Sequence, residues 1–141
     1  MIGRIPDCSE TYDAKYFKGI DGLYLHHLDQ RVTKGCQKAV DAAVEFMCTT
    51  TRGLGHNRHR AKLSRLLKHV ELRDSQSEKI VDTVLQRFEN GDIDEQFIEQ
   101  LRFSLWLSRD RTIEFGARML GSEKEYIVRY AKKLLNLGGA K

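Results

Sequence analysis

The spacing of apolar residues constrains the fold of this chain more than any other feature. Over residues 25–46 and again over residues 80–135, apolar side chains recur at steps of three and four, the period of an α-helix. The single proline, Pro6, lies near the start, so no pyrrolidine ring interrupts a helix after it. No alternating pattern of useful length competes for β-strand. The sequence therefore predicts an all-α fold, an antiparallel bundle or stack of about six helices.

Capping residues and glycines predict where these helices begin and end. A short helix is expected at about 9–18 and a long one at about 23–48, in which Gly35 is a point of bending or splitting. A basic helix is predicted at about 58–70. Four helices of roughly 10–15 residues follow, with turns short enough to make neighbours antiparallel. The predicted caps of the last five helices are Asn57, Ser75, Asp92, Asp110 and Ser122.

Length and composition predict one domain in a reducing compartment. A chain of 141 residues is long enough for one core, with residues 1–20 as an extension docking on the body and residues 51–57 as a flexible loop. No apolar run of about 18 residues predicts a membrane span, and the polar N-terminus predicts no signal peptide. Cys8, Cys36 and Cys48 are odd in number and far apart, which favours reduced thiols and a cytoplasmic protein.

Positive charge is concentrated in one segment of the chain. Residues 1–50 carry 6 Lys and Arg against 7 Asp and Glu, residues 51–73 carry 7 against 1, and residues 74–141 carry 11 against 12. A basic patch on an otherwise balanced chain indicates an anionic partner at one place. The residues predicted to bind it, within segment 52–69, are Arg52, Arg58, Arg60, Lys62, Arg65, Lys68 and His69.

A solvated helix face explains the same charges. The cations could pair with acidic residues that follow closely, namely Asp74, Glu78 and Asp82. The segment also lacks the aromatic side chains that stack on bases, which argues against binding of single-stranded nucleic acid. Two interpretations therefore stay open for segment 52–69, a solvated face and a surface that binds an anionic partner.

Neither a metal site nor a catalytic site has a recognisable motif. Histidine and cysteine are frequent in residues 26–59, but the zinc spacings CxxC and HExxH are missing. The acidic cluster at residues 89–99 lacks the spacing of a calcium loop. No cysteine is marked as an activated nucleophile. We therefore expect no metal, no cofactor and no enzymatic activity.

Three aromatic residues do not all fit the inner faces of their predicted helices: Phe103, Trp106 and Phe115. Apolar residues on two sides of a helix indicate either a deeply buried helix or a second surface that meets a partner. A homodimer through that face is the simplest form of the second interpretation.

Residues 105–135 resemble the helical hairpin of HEAT-type repeats. The second helix of that family carries Val-Arg followed by a small residue and Leu, and here Val-Arg at 128–129, Ala131 and Leu-Leu at 134–135 stand in that order. The small residue follows after one position where two are usual, and the turn lacks the frequent proline. The resemblance implies a curved helical stack that binds proteins or, less often, nucleic acid, without catalysis.

The predicted function is a non-catalytic adaptor or regulatory protein that binds another macromolecule. The alternative is a small nucleic-acid-binding protein.

Overall fold

The structure, a computed structural model, describes residues 22–49 and 56–139. Within these ranges every regular element is helical, which confirms the all-α class, and the last four helices are those predicted. The predicted helix at 9–18 and the extension 1–20 lie outside the described residues. The α-helices are α1 (Gly22–Thr33), α2 (Gln37–Cys48), α3 (His56–Leu66), α4 (Asp74–Asn90), α5 (Phe97–Leu107), α6 (Arg109–Met119) and α7 (Glu125–Leu137), and a 3-10 turn (Leu67–His69) follows α3.

The long helix predicted at 23–48 is two helices, α1 and α2, separated at Gly35. Gly35 has a φ of +78°, a conformation that side-chain-bearing residues rarely adopt. The backbone N–H of Gly35 donates to the Val32 carbonyl at 2.9 Å, and that of Cys36 donates to the Arg31 carbonyl at 3.0 Å. These bonds satisfy the last carbonyls of α1, so the glycine ends the first helix and lets the chain turn back.

The predicted N-terminal caps are displaced by one to five residues from the helix starts. Helices α5, α6 and α7 have no side-chain hydrogen bond at their N-caps. Two of the polar side chains nearby close the preceding turns instead, because Asp94 Oδ1 accepts the Gln96 N–H at 2.9 Å and Ser122 Oγ accepts the Lys124 N–H at 3.2 Å. The displaced predictions are Asn57, Ser75, Asp92, Asp110 and Ser122.

The chain forms two compact units, residues 1–73 and residues 74–141. We call them unit 1 and unit 2 and describe each by itself. The prediction of one domain stays a prediction. None of the helices in the described ranges combines the length and the apolar character that a membrane crossing requires.

In unit 1, helices α1, α2 and α3 pack against one another around one apolar core. Alanines at three α2 positions allow the neighbouring helices to approach closely. The face predicted from the helical period is the one that is buried, including Leu28, Val32, Cys36, Ala39, Ala43 and Phe46.

The cysteines differ in their redox state. Cys36 is 5% exposed and disulfide-bonded. Cys48 is present as the thiol. The expectation of reduced thiols is therefore wrong for Cys36. Because disulfides are rare in cytosolic proteins, the cysteines no longer support the predicted cytoplasmic location.

In unit 2, helices α4 to α7 surround a core of aromatic side chains. The Phe88 ring lies 6.1 Å from the Phe97 ring and 6.0 Å from the Phe115 ring, measured between centroids. Helices α6 and α7 form an antiparallel hairpin, since Arg109 at the start of α6 donates to the Gly138 carbonyl just after α7. The other large contributors to this core are Ile80, Val81, Val84, Leu85, Leu101, Phe103, Ile127 and Leu134.

Two tyrosines of α7 hold the turn between α4 and α5. The Tyr126 hydroxyl donates to the Gly91 carbonyl at 3.3 Å, and the Tyr130 hydroxyl donates to the Asp94 carbonyl at 2.8 Å. Burial raises the pKa of the Tyr130 phenol, and the Asp94 and Glu95 carboxylates raise it further. The phenol therefore remains a hydrogen-bond donor over an extended pH range.

Replacing Gly91 by alanine is expected to destabilise the chain by about 2 kcal/mol, more than the same change at Gly35. Both glycines have φ near +75°, but a Cβ added at Gly91 would overlap the Tyr126 Oη, whereas one added at Gly35 would have nothing within 4 Å. The tyrosine must move and lose its hydrogen bond. Urea denaturation of both variants measures the difference. In a Tyr126→Phe background the excess loss at Gly91 should shrink, and equal losses at both glycines would contradict the role of this contact.

Candidate anion-binding surface

The basic residues predicted to bind an anionic partner do not form one exposed surface. Arg52 lies outside the described residues, and the others lie on α3 or the 3-10 turn after it. Their exposure separates them into three groups. Arg58, Arg65 and His69 are exposed, Lys62 and Lys68 are half-buried, and Arg60 is 3% exposed.

The buried Arg60 side chain donates hydrogen bonds to carbonyls at the C-terminal end of α2. Its Nε donates to the Phe46 carbonyl at 3.4 Å, and its Nη2 donates to the Thr49 carbonyl at 3.1 Å. Its Nη1 donates to Asn57 Oδ1 at 2.9 Å, and the guanidinium lies 5.0 Å from the centre of the Phe46 ring. These carbonyls belong to the end of a helix, where the chain supplies few donors. Arg60 is therefore a structural residue, which corrects its predicted role in binding an external anion.

Asp29 is a buried acidic residue that sequence reasoning missed. It projects from α1, is 3% exposed, and lies at ion-pair distance from two residues of α3. Its Oδ1 is 2.8 Å from His59 Nε2, and its Oδ2 is 3.0 Å from Lys62 Nζ, although neither contact has the angles of a hydrogen bond. Lys62 keeps a side chain that is 44% exposed, so its ammonium group lies between this carboxylate and the solvent.

The sequence did carry a signal for Asp29. The residue follows Leu28 and precedes Val32 by three positions, which places an acidic side chain on the inner face of an amphipathic helix. Charged side chains are seldom buried unless they are paired. An acidic residue at such a position therefore indicates an internal cation partner, but its identity depends on which helix packs against α1.

The acidic residues that the sequence offers as partners of the basic helix, Asp74, Glu78 and Asp82, belong to unit 2. Asp82 pairs with Arg111 inside unit 2. Asp74 and Glu78 line an open cavity of about 330 Å³ at the start of α4. The cavity has few apolar lining residues and its one cation, Arg111, is already paired, so it lacks the features of a small-molecule site. Its lining consists of Asp74, Ser77, Glu78, Val81, Leu107, Ser108 and Arg111.

The other basic side chains of this segment lie along α3 and the 3-10 turn after it. We call them the α3 strip and define it as Arg58, Arg65, Lys68 and His69. Residues 56–69 contain no acidic side chain, and among the described residues of unit 1 no carboxylate lies at ion-pair distance from Arg58, Lys68 or His69. At a rise of about 1.5 Å per residue, the strip extends roughly 16 Å along the helix. Its arrangement suits an elongated anionic surface.

The aromatic residues predicted as an interface are mostly core. Phe103 is 0% exposed and Phe115 is 8% exposed, so the first interpretation, burial, is correct for both and the interface prediction is wrong for them. Trp106 on α5 is 67% exposed and is the one member of the set at the surface. The predicted homodimer stays a prediction.

The HEAT-type resemblance of residues 105–135 stays a prediction. Ala131 and Leu134 are fully buried, and Gly116 on α6 lies against Leu134. Arg129 is exposed.

Among the described residues there is no group of three or more side chains suited to hold a metal ion.

Comparison of the chain with protein-family models, with curated proteins and with solved structures found no significant match.

Proposed function

We propose that this chain is a non-catalytic binding protein, of the adaptor or regulatory type, that recognises an anionic macromolecule through the α3 strip. The observation that carries the proposal is that Arg58 and Lys68 have no carboxylate at ion-pair distance among the described residues of unit 1, in a segment, residues 56–69, that contains no acidic residue. Exposed positive side chains repel one another, and an anionic partner relieves that repulsion.

An acidic protein surface fits the strip better than nucleic acid does. Each phosphate contact contributes roughly −0.9 to the slope of log affinity against log salt, so a protein that makes about 6–10 of them binds duplex DNA with a steep slope. Arg60 and Lys62, two of the predicted phosphate contacts, already interact inside unit 1. The three Arg and Lys side chains of the strip therefore support a slope of only about −3 on duplex DNA. We keep duplex nucleic acid as the second candidate because the strip is cationic along its length.

Helical scaffolds of this kind bind partners along exposed helix faces, and the HEAT-type interpretation of residues 105–135 belongs to this proposal. Trp106 supports a protein partner independently. Exposed tryptophan is uncommon on ordinary surfaces and frequent among the anchors of protein interfaces.

The test is a salt titration of the full chain with two fluorescent probes, a glutamate-rich peptide and a mixed-sequence DNA duplex. We expect the variant Arg58→Gln/Arg65→Gln to weaken peptide binding by about tenfold at low salt, equivalent to about 1.4 kcal/mol. The matched control is Arg129→Gln/Lys132→Gln, which removes two exposed cations from α7 and should change the affinity by less than about twofold.

Three results would change the conclusion. Absence of binding to either probe at low salt would overturn the proposal. Equal weakening by both double variants would mean that net charge, not the α3 strip, attracts the probe. Tighter binding of the duplex than of the peptide, with a salt slope of about −5 or steeper, would favour nucleic acid as the partner.

A further inference from the structure

We infer that Asp29 is an internal counter-ion that holds Lys62 away from the α3 strip and so limits the affinity of the strip for its partner. The inference rests on the proposed function and assigns to Asp29, a residue of a different helix, control over the charge of the binding surface.

Lys62 lies on the same face of α3 as members of the α3 strip, but its ammonium group contacts a buried carboxylate. It follows Arg58 by four residues and precedes Arg65 by three, so all three lie on one face of α3. Its ammonium group is nevertheless 3.0 Å from Asp29 Oδ2. A lysine side chain is long and flexible, and this one is 44% exposed, so the same ammonium could reach a partner if the carboxylate did not attract it.

The Asp29 carboxylate is shielded from the solvent, because its side chain is only 5% exposed and its two oxygens face His59 and Lys62. A buried carboxylate attracts a nearby cation more strongly than an exposed carboxylate does, because water screens the pair less. The Asp29 carboxylate therefore compensates the positive charge of Lys62 from the buried side of the helix. As a result, this face of α3 presents less positive charge to a partner than its sequence indicates.

Removal of the Asp29 charge should strengthen binding, although the substitution adds no contact with the partner. One added unit of positive charge, screened at low ionic strength over less than about 10 Å, corresponds to roughly a three- to tenfold gain in affinity for the glutamate-rich peptide. On duplex DNA the salt slope should become steeper by about one.

The experiment is a double-mutant cycle on the full chain, with Asp29→Asn, Lys62→Gln and the combined variant, measured on the glutamate-rich peptide at low salt. The matched control is Asp41→Asn, which removes an acidic residue of unit 1 that is 40% exposed and pairs with Arg73. We expect Asp29→Asn to tighten binding by at least about threefold and Asp41→Asn to tighten it by less than about twofold. Lys62→Gln should weaken binding much more in the Asp29→Asn background than in the wild-type chain.

The outcomes separate this inference from the proposed function. If the wild-type chain binds neither probe, both fail. If the wild-type chain binds and depends on Arg58 and Arg65, but the effects of Asp29→Asn and Lys62→Gln are additive, only the inference fails. If circular dichroism shows that Asp29→Asn does not fold, the comparison of Lys62→Gln with Arg58→Gln decides, and equal losses of affinity would overturn the inference.

Discussion

Replacement of Arg60 by alanine is expected to lower the free energy of unfolding by about 3 kcal/mol, a large loss for a residue on a basic helix. The guanidinium donates to the carbonyls of Phe46 and Thr49 and to Asn57, and it lies against the Phe46 ring. Its removal leaves the Thr49 carbonyl without this donor and leaves a void beside the ring. Lysine should not rescue the loss, because a single ammonium group cannot reproduce the planar set of donors.

Arg58→Ala is the matched control, since it makes the same substitution two positions away on the same helix at an exposed site. We expect it to change the free energy of unfolding by no more than about 0.5 kcal/mol. Guanidinium denaturation followed by circular dichroism measures both variants. A loss at Arg60 that matches the loss at Arg58 would return Arg60 to the set of surface cations.

Phe88→Ala is expected to cost about 4 kcal/mol, within the range for removal of a buried phenylalanine. Phe88 is 0% exposed, and its ring packs against those of Phe97 and Phe115. The cavity that remains cannot close, because the neighbouring rings belong to two other helices, α5 and α6. The expected loss therefore combines the free energy of burial that the ring no longer contributes with the cost of the cavity that remains.

Trp106→Ala is the control for Phe88→Ala, since it removes a larger aromatic side chain from a site that is 67% exposed. Its expected cost is less than about 1 kcal/mol. The same denaturation experiment compares the two. A cost at Trp106 similar to that at Phe88 would show that the indole is packed rather than available to a partner.

The helical period predicted much of the fold because burial of one apolar face is a local property of the sequence. Leu28, Val32, Ala43 and Phe46 are buried as their spacing predicts. The helix starts were less accurate, because a polar residue near a helix can bond either to the first turn of the helix or to the turn before it. The Ser122 side chain bonds within the turn before its helix, and the sequence around it does not distinguish this arrangement from a helix cap.

The candidate site was predicted only in part. Composition identified segment 52–69 as basic, and the structure shows Arg58 and Arg65 exposed there. The internal use of Arg60 and Lys62 could not be predicted, because their partners Thr49 and Asp29 lie on other parts of the chain. A helical wheel shows which residues share a face but not which helix packs against that face.

The sequence by itself determined the all-α class, the helical period of the core and the location of the excess positive charge, since each depends on residues close together in the chain. Tertiary structure alone decided which cations remain exposed. Packing of α1 and α2 against α3 brings the Asp29 carboxylate and the carbonyls at the end of α2 to Lys62 and Arg60. Because charges interact over a few ångströms irrespective of sequence separation, only that packing distinguishes a structural cation from a binding one.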